Sequence, residues 1–139
     1  MPIRFFSEEI DFKIKKPRKL ALWLRSTAEK EKRSIDDITY IFCSDEYLLR
    51  LNQQFLKHNT LTDIITFDYS EGRKALAGEI YISIDRIADN AFKFKNPFED
   101  ELHRVMVHGV LHLIGYKDKK STEKAMMRKK EEACLSLRK

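Results

Sequence analysis

The stretch HGVLHLIG, residues 108–115, constrains this chain more than any other. It is apolar except for two histidines set four apart, and it stops at a glycine. Four residues make about one helical turn, so His108 and His112 share a face and can aim both imidazoles at one point. A helix so apolar belongs inside a core. As plain core residues, the two imidazoles would each need buried polar partners, and burial without them is costly. A shared metal ion removes that cost. Gly115 tolerates the left-handed backbone that ends a helix and turns the chain back. Such a turn would carry Asp118 toward the same point. Two histidines and a carboxylate leave a position open for water or substrate, as catalytic zinc sites do. The residue after the first histidine is Gly109, where helical zinc proteases carry their glutamate base. Peptide hydrolysis is therefore disfavoured. A glycine there also suggests close approach of another backbone element.

The flanking sequence places this helix in a domain. Asn96, Pro97 and Glu99 read as a cap, a first-turn proline and an acidic residue three past the cap, so the helix is expected from Pro97 to about Ile114. Arg104 and Glu101 lie on the histidine stripe and are expected to be solvated or to back the ligands, with His103 on the surface. Upstream, Ile3–Phe6 reads as a short strand, Pro17 as a break and Leu20–Lys32 as an amphipathic helix. Ile38–Cys43 is β-branched and aromatic, a buried strand. Ser44 and Asp45 are caps for a helix with Tyr47, Leu48, Leu51 and Phe55 on its apolar face. Residues 58–63 break that helix before the strand IITFDY. After a polar turn around Gly72, Glu79–Ile84 alternates with Ile80, Ile82 and Ile84 on one face, and Asp85 caps a short helix. Ser121 opens a last helix, with Ala125, Met126, Ala133, Cys134 and Leu137 as apolar support. This order predicts an α+β domain spanning 1–139, with a small mixed four-stranded sheet, about five helices, and the metal site on a central buried helix.

Composition narrows the partners. The net charge of +5 arises from 27 basic and 22 acidic residues, a mild bias toward a polyanion such as nucleic acid. Basic clusters at Lys13, Lys15, Lys16, Arg18 and Lys19, and at Lys119, Lys120, Lys124, Arg128, Lys129 and Lys130, could guide RNA, though acidic residues mixed into the last helix make solvated faces the simpler reading. Cys43 and Cys134 make no disulfide framework and are expected to be small core residues. The N-terminal MPIRFFSEEIDFKIKK has no secretory apolar core, and no run reaches a membrane span. A cytoplasmic protein is expected, with no membrane and no DNA partner.

HGVLHLIGY closely resembles the signature of the YbeY endoribonucleases, bacterial ribosomal RNA maturation factors. LNQQFLKHNTLTDIITF, 51–67, is similar to the family's second block, and GEIYIS, 78–83, to its third, so the likeness covers nearly the whole chain. The resemblance implies an α+β, metal-dependent, single-strand-specific endoribonuclease. It would act in ribosomal RNA processing, at the 3′ end of the small-subunit RNA, and in ribosome quality control, with the small subunit or assembly proteins as partners. It implies His108 and His112 as metal ligands and catalytic residues. The family's third histidine, in GYDH, is replaced here, since the block reads GYKD. Lys117 takes the aspartate's place and Asp118 the third ligand's. One divalent ion per chain is expected, zinc before others, although a His2Asp set is harder than three imidazoles and leans toward Mn or Fe. The family's arginine after LNxxY is Leu56 here. Lys57 and His58 follow, Lys57 as a candidate phosphate contact and His58 as a candidate proton-transfer residue. Thr62 and Asp63 match the same block and are expected to fix the wall of the cleft. Two other readings compete: a non-catalytic RNA-binding or ribosome-assembly factor braced by the metal, and a metallohydrolase of another substrate. An iron oxygenase triad is remote, since such sets rarely come from one HxxxH helix.

Overall fold

The structure is a computed structural model that describes residues 3–56 and 62–138. Four strands form one sheet in the order β1-β2-β4-β3: β1 (Ile3–Ser7), β2 (Ser34–Cys43), β3 (Ile64–Asp68) and β4 (Ala75–Ser83). β1 and β4 each run parallel to β2, while β3 pairs antiparallel with β4 at the edge. The helices are α1 (Pro17–Lys30), α2 (Asp45–Leu51), α3 (Ile84–Lys93), α4 (Phe98–Ile114) and α5 (Ser121–Leu135). The expected α+β architecture and element order are what the chain adopts.

One sheet face carries the main core. Ile38, Tyr40 and Phe42 of β2 and Leu76, Ile80 and Ile82 of β4 are buried there with Leu24 of α1 and Leu102, Met106 and Val110 of α4. Tyr40 brings a hydroxyl into this layer, and the hydroxyl donates to the Met106 carbonyl at 2.7 Å. That bond meets the polar demand of the buried phenol and ties β2 to the middle of α4. Gly109 seats α4 on the sheet. A Cβ there would lie 2.8 Å from Ile80 Cδ1 and 3.3 Å from Ile64 Cδ1. The close neighbours are thus strand side chains, not the backbone that the sequence suggested. Cys43 and Cys134 are buried free thiols, as core residues should be.

Several boundaries differ from the sequence reading for local reasons. Pro17 does not break the chain but starts α1, where its missing N–H has no helical partner to lose. Ser83, not Asp85, caps α3, its hydroxyl accepting from the Arg86 N–H at 3.2 Å. Asp85 instead accepts the Asp45 N–H at 2.9 Å. α4 has no side-chain cap from Asn96, and Glu99, Asp100 and Glu101 complement its positive end. The helix begun at Asp45 widens into a π-helical turn over Asn52–Leu56. That change of pitch takes Phe55 off the apolar face, and it stands 57% exposed with its ring edge-on to Phe67. On α5, Ala125, Met126 and Ala133 face outward, as does Leu137 just past its end, and the buried positions are Met127, Glu131 and Cys134. No helix among the described residues is long and apolar enough to cross a membrane.

Candidate metal centre

The site forms where α4 ends. Gly115 takes φ 125°, and its N–H reaches the carbonyls of Leu111 and His112 at 3.1 and 3.0 Å. The next residue, Tyr116, donates to the Leu111 carbonyl at 3.0 Å, and the chain turns back beneath the helix. The Tyr116 hydroxyl donates to Glu31 at 2.7 Å, which pins the turn to the end of α1. This reversal sets Asp118 against the two histidines.

Asp118 Oδ2 lies 3.2 Å from His108 Nε2 and 3.4 Å from His112 Nε2, and the three donors fall within 4.8 Å of one another. A tetrahedral ion with bonds of about 2.1 Å separates its ligand atoms by about 3.4 Å. The two imidazole nitrogens and the carboxylate oxygen therefore have the chemistry and spacing of a divalent-metal cradle. Burial, then the neighbouring charge of His108, lowers the pKa of His112. A neutral imidazole is the form that binds metal.

The cradle opens on a cleft of about 340 Å³ lined by Thr62, Asp63, Ile64, Arg104 and Val105 beside the three donors. Thr62 and Asp63 wall it as the sequence suggested, anchored by the Ser83 N–H donating to the Asp63 carbonyl at 3.0 Å. Burial raises the carboxyl pKa of Asp63, against the opposing pull of His108 and Arg104. Lys117 is exposed and lines none of this cleft. Lys57 and His58 lie outside the described residues. Of the basic clusters, Lys130 is committed to Glu31 at 3.0 Å, while the Lys13–Lys19 group is exposed.

Behind the histidines is a polar layer that the sequence only half suggested. Glu101 is 1% exposed rather than solvated, and it grips the Arg104 guanidinium. Arg104 Nη1 also donates to Glu131 Oε1 at 2.9 Å, and the other oxygen of Glu131 meets His108 Nδ1. Burial alone would raise the pKa of Glu131, but the hydrogen bonds and charges of His108 and Arg104 bring it below the ordinary carboxylate value. Sequence reasoning missed Glu131. The available signal was a carboxylate centred in the 127, 131, 134 stripe that α5 buries. His103 is not a plain surface residue either. It packs on Trp23, with ring centroids 5.8 Å apart, and its Nδ1 lies 2.7 Å from Arg138 Nη1.

Residues 3–138 match the family model described as Endoribonuclease YbeY. A protein of Cytophaga hutchinsonii named Endoribonuclease YbeY is 54% identical over 99% of this chain and 96% of its own length. One of the same name from Flavobacterium psychrophilum is 52% identical over 95% of this chain and 94% of its own. The solution structure of a Thermotoga maritima protein superposes with a TM-score of 0.66 at 30% identity, covering 96% of this chain and 87% of that one.

Proposed function

The chain belongs to the endoribonuclease YbeY family, and on that premise we propose that it cuts single-stranded RNA with a divalent metal held by His108, His112 and Asp118. The reaction serves ribosomal RNA processing, at the 3′ end of the small-subunit RNA, and ribosome quality control. The small subunit and its assembly proteins are the partners, and the cytoplasm is the place of action. One observation carries the reading: three metal-competent donors at ligand spacing open directly onto a cleft.

The charge around that cleft supports metal dependence. Among the described residues, Asp63 and Asp118 line it and Glu101 and Glu131 stand behind it, against the guanidinium of Arg104. Such a site repels RNA phosphate until a cation sits in the cradle. Zinc suits two imidazoles and a carboxylate. When bound, it would neutralise charge developing at phosphorus and make water a better nucleophile near neutral pH. His108 and His112 would hold the ion from one helical face, with Asp118 as the third ligand. Lys57 contacts a substrate phosphate, and His58 moves a proton at the leaving oxygen. A narrow cleft admits unstacked RNA and excludes a duplex.

The test is cleavage of an end-labelled single-stranded RNA by zinc-loaded protein, beside the matching duplex and a strand with 2′-deoxy at the cut site. Wild type should cut the single strand and spare the duplex, and His108→Ala and His112→Ala should be inactive. Tight RNA binding without cleavage would favour a non-catalytic assembly factor and overturn the reading. Survival of cutting at the 2′-deoxy position would assign the attack to water.

A further inference from the structure

The buried polar layer behind the histidines needs its own explanation. Glu101, Arg104 and Glu131 are withdrawn from water, with side chains 0%, 19% and 3% exposed. Burying such charges costs heavily, and well-packed apolar residues often serve stability as well or better. Stability is therefore a weak reason for the set to exist, and its geometry points to another. Arg104 uses Nε, 3.3 Å from Glu101 Oε1, and Nη2 on the second Glu101 oxygen, a two-pronged grip within one turn of α4. Its Nη1 is then aimed at Glu131 on α5, 2.9 Å away. Glu131 divides its two oxygens between Arg104 and His108 Nδ1.

We propose that Glu131 is the positioning residue of the metal centre, and that the Glu101–Arg104 pair holds Glu131 in place. The inference rests on the reading above only for the presence of the ion. A carboxylate facing Nδ1 selects the imidazole form with its proton on that nitrogen. Nε2 then presents its lone pair to the cradle, where a cation would sit between it and Asp118. It also stops the ring from rotating and raises its basicity as a ligand. Glu131 does this from a different helix than the histidines. α5 buries little else: Met127 and Cys134 complete its stripe, with Trp23 Nε1 donating to the Cys134 carbonyl at 2.8 Å. Occupancy of the metal site and docking of α5 are consequently linked, and the linkage is reciprocal.

Zinc affinity, measured by competition with a chromogenic chelator, tests this without RNA. Glu131→Ala should bind zinc roughly 10–100-fold more weakly than wild type, the range for loss of such a partner. Glu131→Gln keeps an oxygen that accepts the Nδ1 proton and should lose less. Glu132→Ala, on the exposed side of the same helix, should match wild type. Zinc should slow amide exchange across α5 in wild type and much less in Glu131→Ala. In the zinc-loaded protein the imidazole nitrogen shifts of His108 should report a proton on Nδ1 and zinc on Nε2 in wild type, and a mixture of forms in Glu131→Ala. A purely structural Glu131 would lower the unfolding midpoint and leave zinc affinity, the imidazole signature and the zinc effect on α5 unchanged, which overturns the proposal. If Glu131→Ala does not fold, Glu131→Met, which refills the volume without an acceptor for Nδ1, decides: zinc affinity within twofold of wild type, with an unchanged His108 signature, also overturns the proposal. Wild type that binds zinc yet leaves RNA intact would sink the nuclease reading and spare this one.

Discussion

α4 and α5 meet at the candidate metal centre and are held to the molecule by different means. α4 is fixed by shape. Leu102, Met106, Val107, Val110 and Leu111 are fully buried, and Gly109 lets the helix sit down on Ile80 and Ile64. α5 is fixed largely by polar contacts. Glu131 reaches Arg104 and His108, the Cys134 carbonyl accepts from Trp23, and Lys130 pairs with Glu31 at the foot of the Tyr116 turn. The helix that carries the histidines is thus seated by apolar packing, and the helix that carries Glu131 by a mixture of buried apolar and polar contacts.

Substitutions can break this contrast, and the largest effect belongs to α4. Met106→Ala empties the centre of the main core and should cost about 2–5 kcal/mol in urea unfolding. Gly109→Val pushes side-chain atoms into Ile80 and should cost about 1–3 kcal/mol by overpacking. It should also weaken zinc binding, because the histidine platform lifts from the sheet. If Gly109→Val is neutral, the close seat is not what sets the height of α4. Trp23→Phe deletes one donor to α5 and should cost about 1 kcal/mol. Its amide exchange should quicken along α5 more than along α4, and equal acceleration in both would erase the contrast.

The smallest effect is a drift with pH in metal-free protein. His112 and His103 both have folded pKa values below 6.5, each chiefly through burial. The unfolded chain then binds more protons than the folded one as pH falls through 6.5, so stability declines with acid. Glu131, depressed below 4.5, has the same sign in a lower window: its contribution is present above 4.5 and lost as pH falls through its folded value. Asp63, raised above 3.8 by burial, has the opposite sign at lower pH, so the drop in urea midpoint should be clearest as pH falls through 6.5, and flattened there in His112→Gln. A rise in stability as pH falls through 6.5 would contradict these assignments.

The contrast also accounts for what could be read from the sequence. α4 announces itself because apolar periodicity, the HxxxH spacing and Gly115 all act within one helix. The order of strands and helices was legible for the same reason. Asp118 was within reach because the turn at Gly115 is a local event. Glu131 was hidden because its partners sit 23 and 27 residues upstream, on another helix. A run such as RKKEEACL gives no local sign of which glutamate is buried. The outward turn of Phe55 escaped because a π-helical widening at Asn52–Leu56 changes the period that the reading assumed. The capping of α3 by Ser83 was missed because Asp85 is an equally good cap by residue type, and tertiary contact with Asp45 decided between them.

The central claim is that His108, His112 and Asp118 together hold the ion on which RNA cleavage depends. Elemental analysis of purified protein tests it most directly, on wild type, His108→Ala, His112→Ala and Asp118→Ala after identical zinc loading. The account predicts about one zinc per chain in wild type and loss of that stoichiometric zinc in all three variants, as expected when a three-residue cradle loses a ligand. Full zinc retention by Asp118→Ala would contradict the assigned third ligand, and a wild type that takes up no zinc would contradict the metal centre itself.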